Sequence, residues 1–136
     1  IIFVAFSIPI VVFDIKSMLI PDILLYMGSI VLLCYRFACT RKEFLIYLVT
    51  AAVSVILFII IRITSRKGLG TGDIKYSAMC ALYAGPAVIF AGFLVASVSG
   101  LIFYFATRKI RRSRTFAFTP FMALGTLVTG LLPLLR

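Results

Sequence analysis

Gly70-Thr71-Gly72-Asp73-Ile74-Lys75 sets one carboxylate, preceded by two glycines, between apolar segments of a 136-residue chain that has four acidic residues in all. What flanks it decides the fold. Upstream lies the apolar run 43–63. Downstream, a short stretch at 73–84 is stopped by Gly85-Pro86, and residues 86–107 resume the apolar pattern. Further out, residues 1–13, 21–39 and 119–135 give three more such stretches, the second opening on Pro21, which suits the first turn of a helix. A crossing needs about 20 residues. In hydrocarbon every backbone polar group must be satisfied internally, so helices are the form open to such segments. The expectation is an all-α integral membrane bundle of about six transmembrane helices, with residues 1–136 as a single transmembrane domain. The fourth span is too short to cross as a straight helix unless it continues through Pro86 or lies where the bilayer is thin. Short loops predict that successive helices are antiparallel neighbours.

Composition agrees. Hydrophobic residues make up 63% of the chain and charged residues 13%, against about 25% charged in soluble domains; the mean hydropathy is +1.20. An ordinary water-soluble fold is excluded. The net charge of +10 would point to nucleic acid in a soluble protein. Here the basic residues cluster in short loops without interleaved stacking aromatics, so the expected partner is the lipid bilayer and not nucleic acid. Arg108 to Arg114 holds five basic residues in seven. It reads first as an anchor to anionic lipid, and only second as a holder of an acidic partner. Cys34, Cys39 and Cys80 lack Cys-x-x-Cys spacing, and the chain has no histidine. No metal site and no cofactor are expected, and the cysteines read as small buried hydrophobes. A Cys34–Cys39 disulfide has only their closeness in sequence in its favour.

Lys and Arg also orient the chain. One side collects Lys16, Arg62, Arg66, Lys67, Lys75 and the five of the 108–114 run, the other Arg36, Arg41, Lys42 and Arg136. Ten against four puts the first side in the cytoplasm and delivers Asp14 and Asp73 to that same face. The tyrosines fit interfacial belts, with Tyr26, Tyr76 and Tyr104 towards the inner face and Tyr35, Tyr47 and Tyr83 towards the outer.

Asp14 stands in Asp14-Ile15-Lys16-Ser17-Met18-Leu19-Ile20-Pro21. Ionisable residues near hydrocarbon are costly to keep and are functional candidates by default. Two carboxyls close enough to share a proton can activate water and break a peptide bond: the ionised one takes a proton from water and the protonated one polarises the scissile carbonyl. Gly70 and Gly72 permit unusual dihedrals and close approach of another chain, and the segment Arg66 to Gly72 suits a mobile gate. Each aspartate alone has a plain alternative, Asp73 as a helix cap and Asp14 as the end of the first helix. Asp22, at the start of the second helix, suits the dipole and reads as a cap. Lys16 and Lys75 close the repeated Asp-Ile-Lys. They read as snorkelling residues or, more sharply, as groups that tune the pair or meet a substrate carboxylate.

Asp14 followed by Ile20-Pro21-Asp22, then Gly70-x-Gly72-Asp73-x-Lys75, then Pro120-Phe121-Met122-Ala123-Leu124-Gly125 resembles the prepilin peptidase family of membrane aspartic proteases, in its three motifs and in their order. Presenilin-type proteases share Gly-x-Gly-Asp but carry Tyr-Asp at the first aspartate, where this chain has Phe13-Asp14 leading into Ile-Pro. The resemblance implies a six-helix peptidase core with Asp14 and Asp73 catalytic, and Lys16, Pro21, Gly70, Gly72 and Lys75 as motif or substrate-side residues. It implies type IV pilin-like, pseudopilin or archaellin precursors as substrate partners, cut on the cytoplasmic side of the cell membrane after a Gly that ends a short basic leader. Larger family members carry an N-terminal cysteine-bearing domain linked to methylation of the new N-terminus. Its absence from this sequence favours a compact, peptidase-only type. The oligomeric state is left open.

Two other classes compete: a small proton-coupled carrier with Asp14 and Asp73 as relays, and a non-catalytic membrane subunit of a secretion or pilus machine. A carrier needs acidic groups along a path at bilayer depth, whereas both aspartates sit at one face. Ser-His proteases and HExxH metalloproteases are excluded by the lack of histidine.

Overall fold

The computed structural model describes residues 1–17, 19–64, 70–107 and 117–131. They form six helices and no strand: α1 (Ile2–Ser17), α2 (Asp22–Cys39), α3 (Phe44–Thr64), α4 (Thr71–Ala84), α5 (Pro86–Thr107) and α6 (Thr119–Leu131). The run Arg108 to Arg114 and residues 66–69 of the segment expected to act as a gate lie outside the described residues.

The side chains are arranged for lipid. Leu45, Ile63 and Leu94 are 70%, 74% and 68% exposed, while Ser7, Thr50, Ser54, Ser77, Thr126 and Thr129 are buried. Several buried hydroxyls donate back to the carbonyl one turn earlier, as Thr50 does to Ile46 and Thr126 to Met122, both at 2.7 Å. Large apolar faces outside and small polar residues between helices are what a bundle needs when its solvent is hydrocarbon. The chain is an all-α membrane protein. α2, α3 and residues Pro86–Ala106 of α5 are long and apolar enough to cross.

The short fourth helix is the centre of the bundle. Tyr76, Met79, Cys80 and Ala81 of α4 are fully buried. At 14 residues it spans about 21 Å, and it does not continue through Pro86: Gly85 follows with φ +74, which breaks the helix, and Pro86 opens α5. Stopping short leaves end carbonyls to satisfy. Arg36 of α2 does so, with Nε donating to Leu82 O at 3.1 Å and Nη2 to Tyr83 O, while its guanidinium lies 4.1 Å over the Tyr47 ring of α3.

α4 also corrects the expectation that successive helices are neighbours. α2 and α3 meet where Phe37 packs edge-on to Phe44 at 5.4 Å, but α4 lies between their bodies and packs on both. The gap leaves an apolar groove over Ala78 and Leu82, walled by Leu33 and Leu48; neither aspartate lines it. α5 and α6 pack most extensively, and small residues are the reason: a Cβ on Gly125 would collide with Gly92 O, and one on Gly92 would lie 2.9 Å from Thr129 Oγ1.

Three further expectations change. The first helix runs to Ser17, with Pro9 inside it, so Asp14 is in its last turn and not at its end. Tyr76 belongs to no interfacial belt; it is fully buried and donates to Ser7 Oγ on α1 at 3.0 Å. Of the cysteines only Cys80 is buried; Cys34 and Cys39 are free and exposed.

Candidate active site

Three helix ends converge at one end of the bundle: the last turn of α1, the first turn of α4 and the first residue of α6. α1 and α4 each pack on α6 there. α1 turns Asp14 inward while its neighbours Phe13 and Ile15 stay exposed, at 46% and 58%. α4 brings Asp73, 9% exposed, in its first turn; Asp14 is 6% exposed. α6 brings Thr119, which is fully buried. Its hydroxyl donates to Asp73 Oδ1 at 3.0 Å, and its hydroxyl and backbone amide both lie against the Asp14 carboxyl. Asp14 is near enough for its charge to bear on the Asp73 carboxyl, and among the described residues no hydrogen-bond partner reaches the buried Asp14 Oδ2.

The N-termini of α4 and α6 both point into this cluster, and the exposed N–H groups of a helix start favour negative charge. The Gly70 backbone amide also lies close to the Asp73 carboxyl. A buried carboxyl so supplied can hold a charge, while its neighbour's repulsion makes two charges at once costly.

The glycines have a definite use, though not the one expected. Gly70 has φ −68 and ψ 150, which any residue adopts, and Gly72 is helical. Close approach is what requires them. A Cβ on Gly72 would fall 2.8 Å from Ile20 Cδ1, and one on Gly70 would sit 3.3 Å from Asp73 Oδ2. Ile20, just before Pro21, is thus packed under the start of α4. Pro21 is the N-cap of α2 and not part of its first turn, with no side-chain capping bond.

Lys75 lies on the α2 side of α4, where it bonds Asp22 at 2.8 Å and sits 5.1 Å from the Tyr26 ring. Asp22 is therefore an ion-pair partner rather than a side-chain cap. Lys16 is exposed on α1. So the structure brings together Asp14, Asp73, Gly70 and Gly72, holds Ile20-Pro21-Asp22 beside them through Gly72 and Lys75, and leaves Lys16 outside. The residue that the sequence did not yield is Thr119. Its signal was local: a threonine directly before Pro120, the pairing that commonly opens a helix. Among the described residues no group of His, Cys, Asp and Glu side chains could hold a metal ion.

The model of the type IV leader peptidase family matches residues 1–105, a stretch that includes both aspartates and their flanking motifs. No curated protein and no solved structure matches the chain significantly.

Proposed function

Because this chain belongs to the type IV leader peptidase family, we propose that it is a membrane aspartic endopeptidase that removes the short basic leader of a type IV pilin-like precursor at the cytoplasmic face, with Asp14 and Asp73 as its catalytic pair. One observation carries the site: two buried carboxyls from separate helices, in a chain with four acidic residues, meet at one hydroxyl, that of Thr119.

The chemistry follows from a pair that holds one proton. The ionised carboxyl takes a proton from a water molecule as its oxygen attacks the scissile carbonyl carbon. The protonated carboxyl gives its proton to the carbonyl oxygen, forming a neutral gem-diol. On collapse the C–N bond breaks, the nitrogen leaves with a proton and the new carboxyl leaves with the leader. The pair ends with one proton again. Burial keeps bulk water from screening these steps.

The ten-to-four distribution of Lys and Arg supports the cytoplasmic side, and the basic surface there suits anionic headgroups. The substrate's cut site would lie where its apolar helix leaves the bilayer, level with the first turn of α4. Co-expression with a panel of pilin-like precursors tests the assignment. A mobility shift present with the wild-type chain and absent with Asp73→Asn is the expected result; no cleavage across the panel overturns it.

A further inference from the structure

We propose that Thr119 is a positioning residue that makes the two aspartates unequal, holding the pair in its one-proton state. The proposal rests on the catalytic role given to Asp14 and Asp73 above. A hydroxyl has one proton to donate and lone pairs to accept with. In the structure that proton goes to Asp73 Oδ1 at 3.0 Å, while the same hydroxyl lies against the Asp14 carboxyl. A hydroxyl so placed donates to whichever carboxyl is ionised and accepts from the one that carries the proton. It cannot donate to both at once. It therefore favours one proton on the pair over two, and over none. By rotating about Cβ–Oγ1 it can follow the proton as the carboxyls exchange roles during the cycle.

Two further observations support this use. Asp14 Oδ2 is buried with no hydrogen-bond partner among the described residues; an orphaned acceptor at that depth is costly unless it carries a proton or meets a bound group. Thr119 is itself fully buried and is the first residue of α6, so packing and the helix start fix its place. Among the described residues, the charged groups around the site are few. Asp14 faces Thr119 from α1 and Asp73 from α4. Lys75 and Asp22 pair with each other on the α2 side at 2.8 Å, Lys16 is exposed on α1, and Arg62 ends α3.

The test compares wild type with Thr119→Val, which keeps the shape and removes the hydroxyl, and Thr119→Ser, which keeps the hydroxyl. Thr119→Ala against Thr119→Ser gives the same comparison should the Val chain fail to accumulate in membranes. One arm needs no substrate. Infrared titration of the carboxyl bands of the purified chain, assigned with Asp14→Asn and Asp73→Asn, reads the two protonation steps of the pair. Thr119→Val should bring the two midpoints together by about one pH unit or more, since a hydrogen bond to a charged group is worth about that much. Thr119→Ser should keep them apart. The second arm uses a pilin-like precursor that the wild type cleaves. Thr119→Val should lower kcat about tenfold or more with KM little changed, and narrow the bell-shaped pH profile from both sides, while Thr119→Ser stays within about threefold. Midpoints unmoved in Thr119→Val or Thr119→Ala, or a Ser variant as shifted as the hydroxyl-free one, overturn the proposal. A wild type that cleaves nothing while the midpoints converge in Thr119→Val overturns the peptidase assignment and leaves the positioning role standing.

Discussion

Gly72 lies so close beneath Ile20 that a Cβ added to it would fall 2.8 Å from Ile20 Cδ1 and 3.1 Å from Ile20 Cβ. This contact ties the segment before α2 to the first turn of α4, one residue from Asp73. Gly72→Ala forces Ile20 to yield by several tenths of an ångström, and Gly72→Val demands more than a rotamer change can give. Overpacking of this kind costs about 1–3 kcal/mol. The expected order of cleavage rate is wild type, then Ala, then Val, with Ile20→Ala partly restoring activity to Gly72→Ala by opening space. Failure of Ile20→Ala to restore any activity would show that the contact is not what the glycine serves.

Gly70 bears on the carboxyl itself. A methyl group there would sit 3.3 Å from Asp73 Oδ2, tight enough to push the carboxyl off its present position. The φ of −68 suits alanine, so the fold should be unaffected. Gly70→Ala should lower kcat by roughly tenfold, as small misplacements of a reacting group do, with unchanged thermal stability in detergent. Kinetics and a melting curve on the same preparation check this.

Asp14→Asn and Asp73→Asn each keep shape but cannot shuttle a proton. Each should abolish cleavage, and the double variant should be no worse than either alone, because groups acting as one unit are not additive. Neither should unfold the chain, since apolar packing and not the pair holds the helices together. Substantial turnover in either single variant sinks the assignment of the pair.

The fold was legible where hydrocarbon imposes a length. The apolar runs at 21–39, 43–63 and 86–107 match α2, α3 and α5 to within one residue, because a bilayer crossing sets both the number of residues and their character. Gly85-Pro86 marked the end of α4 because a left-handed glycine and a proline are local signals. What stayed hidden depends on partners far along the chain. Tyr76 reads as interfacial until Ser7, 69 residues away, supplies its acceptor. Lys75 reads as a snorkelling residue or as a group that tunes the pair until α2 brings up Asp22. Thr119 acquires a meaning only beside Asp73, 46 residues earlier. α1 was cut short at residue 13 because Asp14 and Lys16 look like an exit from the membrane, whereas a carboxyl turned inward lets the helix continue to Ser17.

Orientation can be read chemically. In a background without Cys34, Cys39 and Cys80, single cysteines at Ser65 and Ser113 should react only with reagent admitted to the cytoplasm, and one at Thr40 should react from outside. Thr40 caps α2 at the end of the bundle opposite the aspartates, where its amide and hydroxyl both donate to Arg36 O. The reverse pattern would move Asp14 and Asp73 to the outer face and rule out leader cleavage inside the cell.

Arg36 carries the last prediction, because α4 can stop short only if its final carbonyls are satisfied. The guanidinium donates to Leu82 O and Tyr83 O and stacks over Tyr47 at 4.1 Å, so one side chain serves the end of α4 and joins α2 to α3. It also sets a positive charge at the negative end of the α4 dipole. Arg36→Met keeps the apolar stem and leaves both carbonyls without those donors, a loss on the order of 2–4 kcal/mol. Arg36→Lys should recover only part of it, since an ammonium cannot offer the planar fork that meets two carbonyls at once. Unfolding in mixed micelles should rank wild type above Lys and Lys above Met. Cleavage per folded molecule should fall far less than in the aspartate variants, because Arg36 acts at the opposite end of α4 from Asp73. Equal stability in all three chains would show that the carbonyls at the end of α4 find other donors.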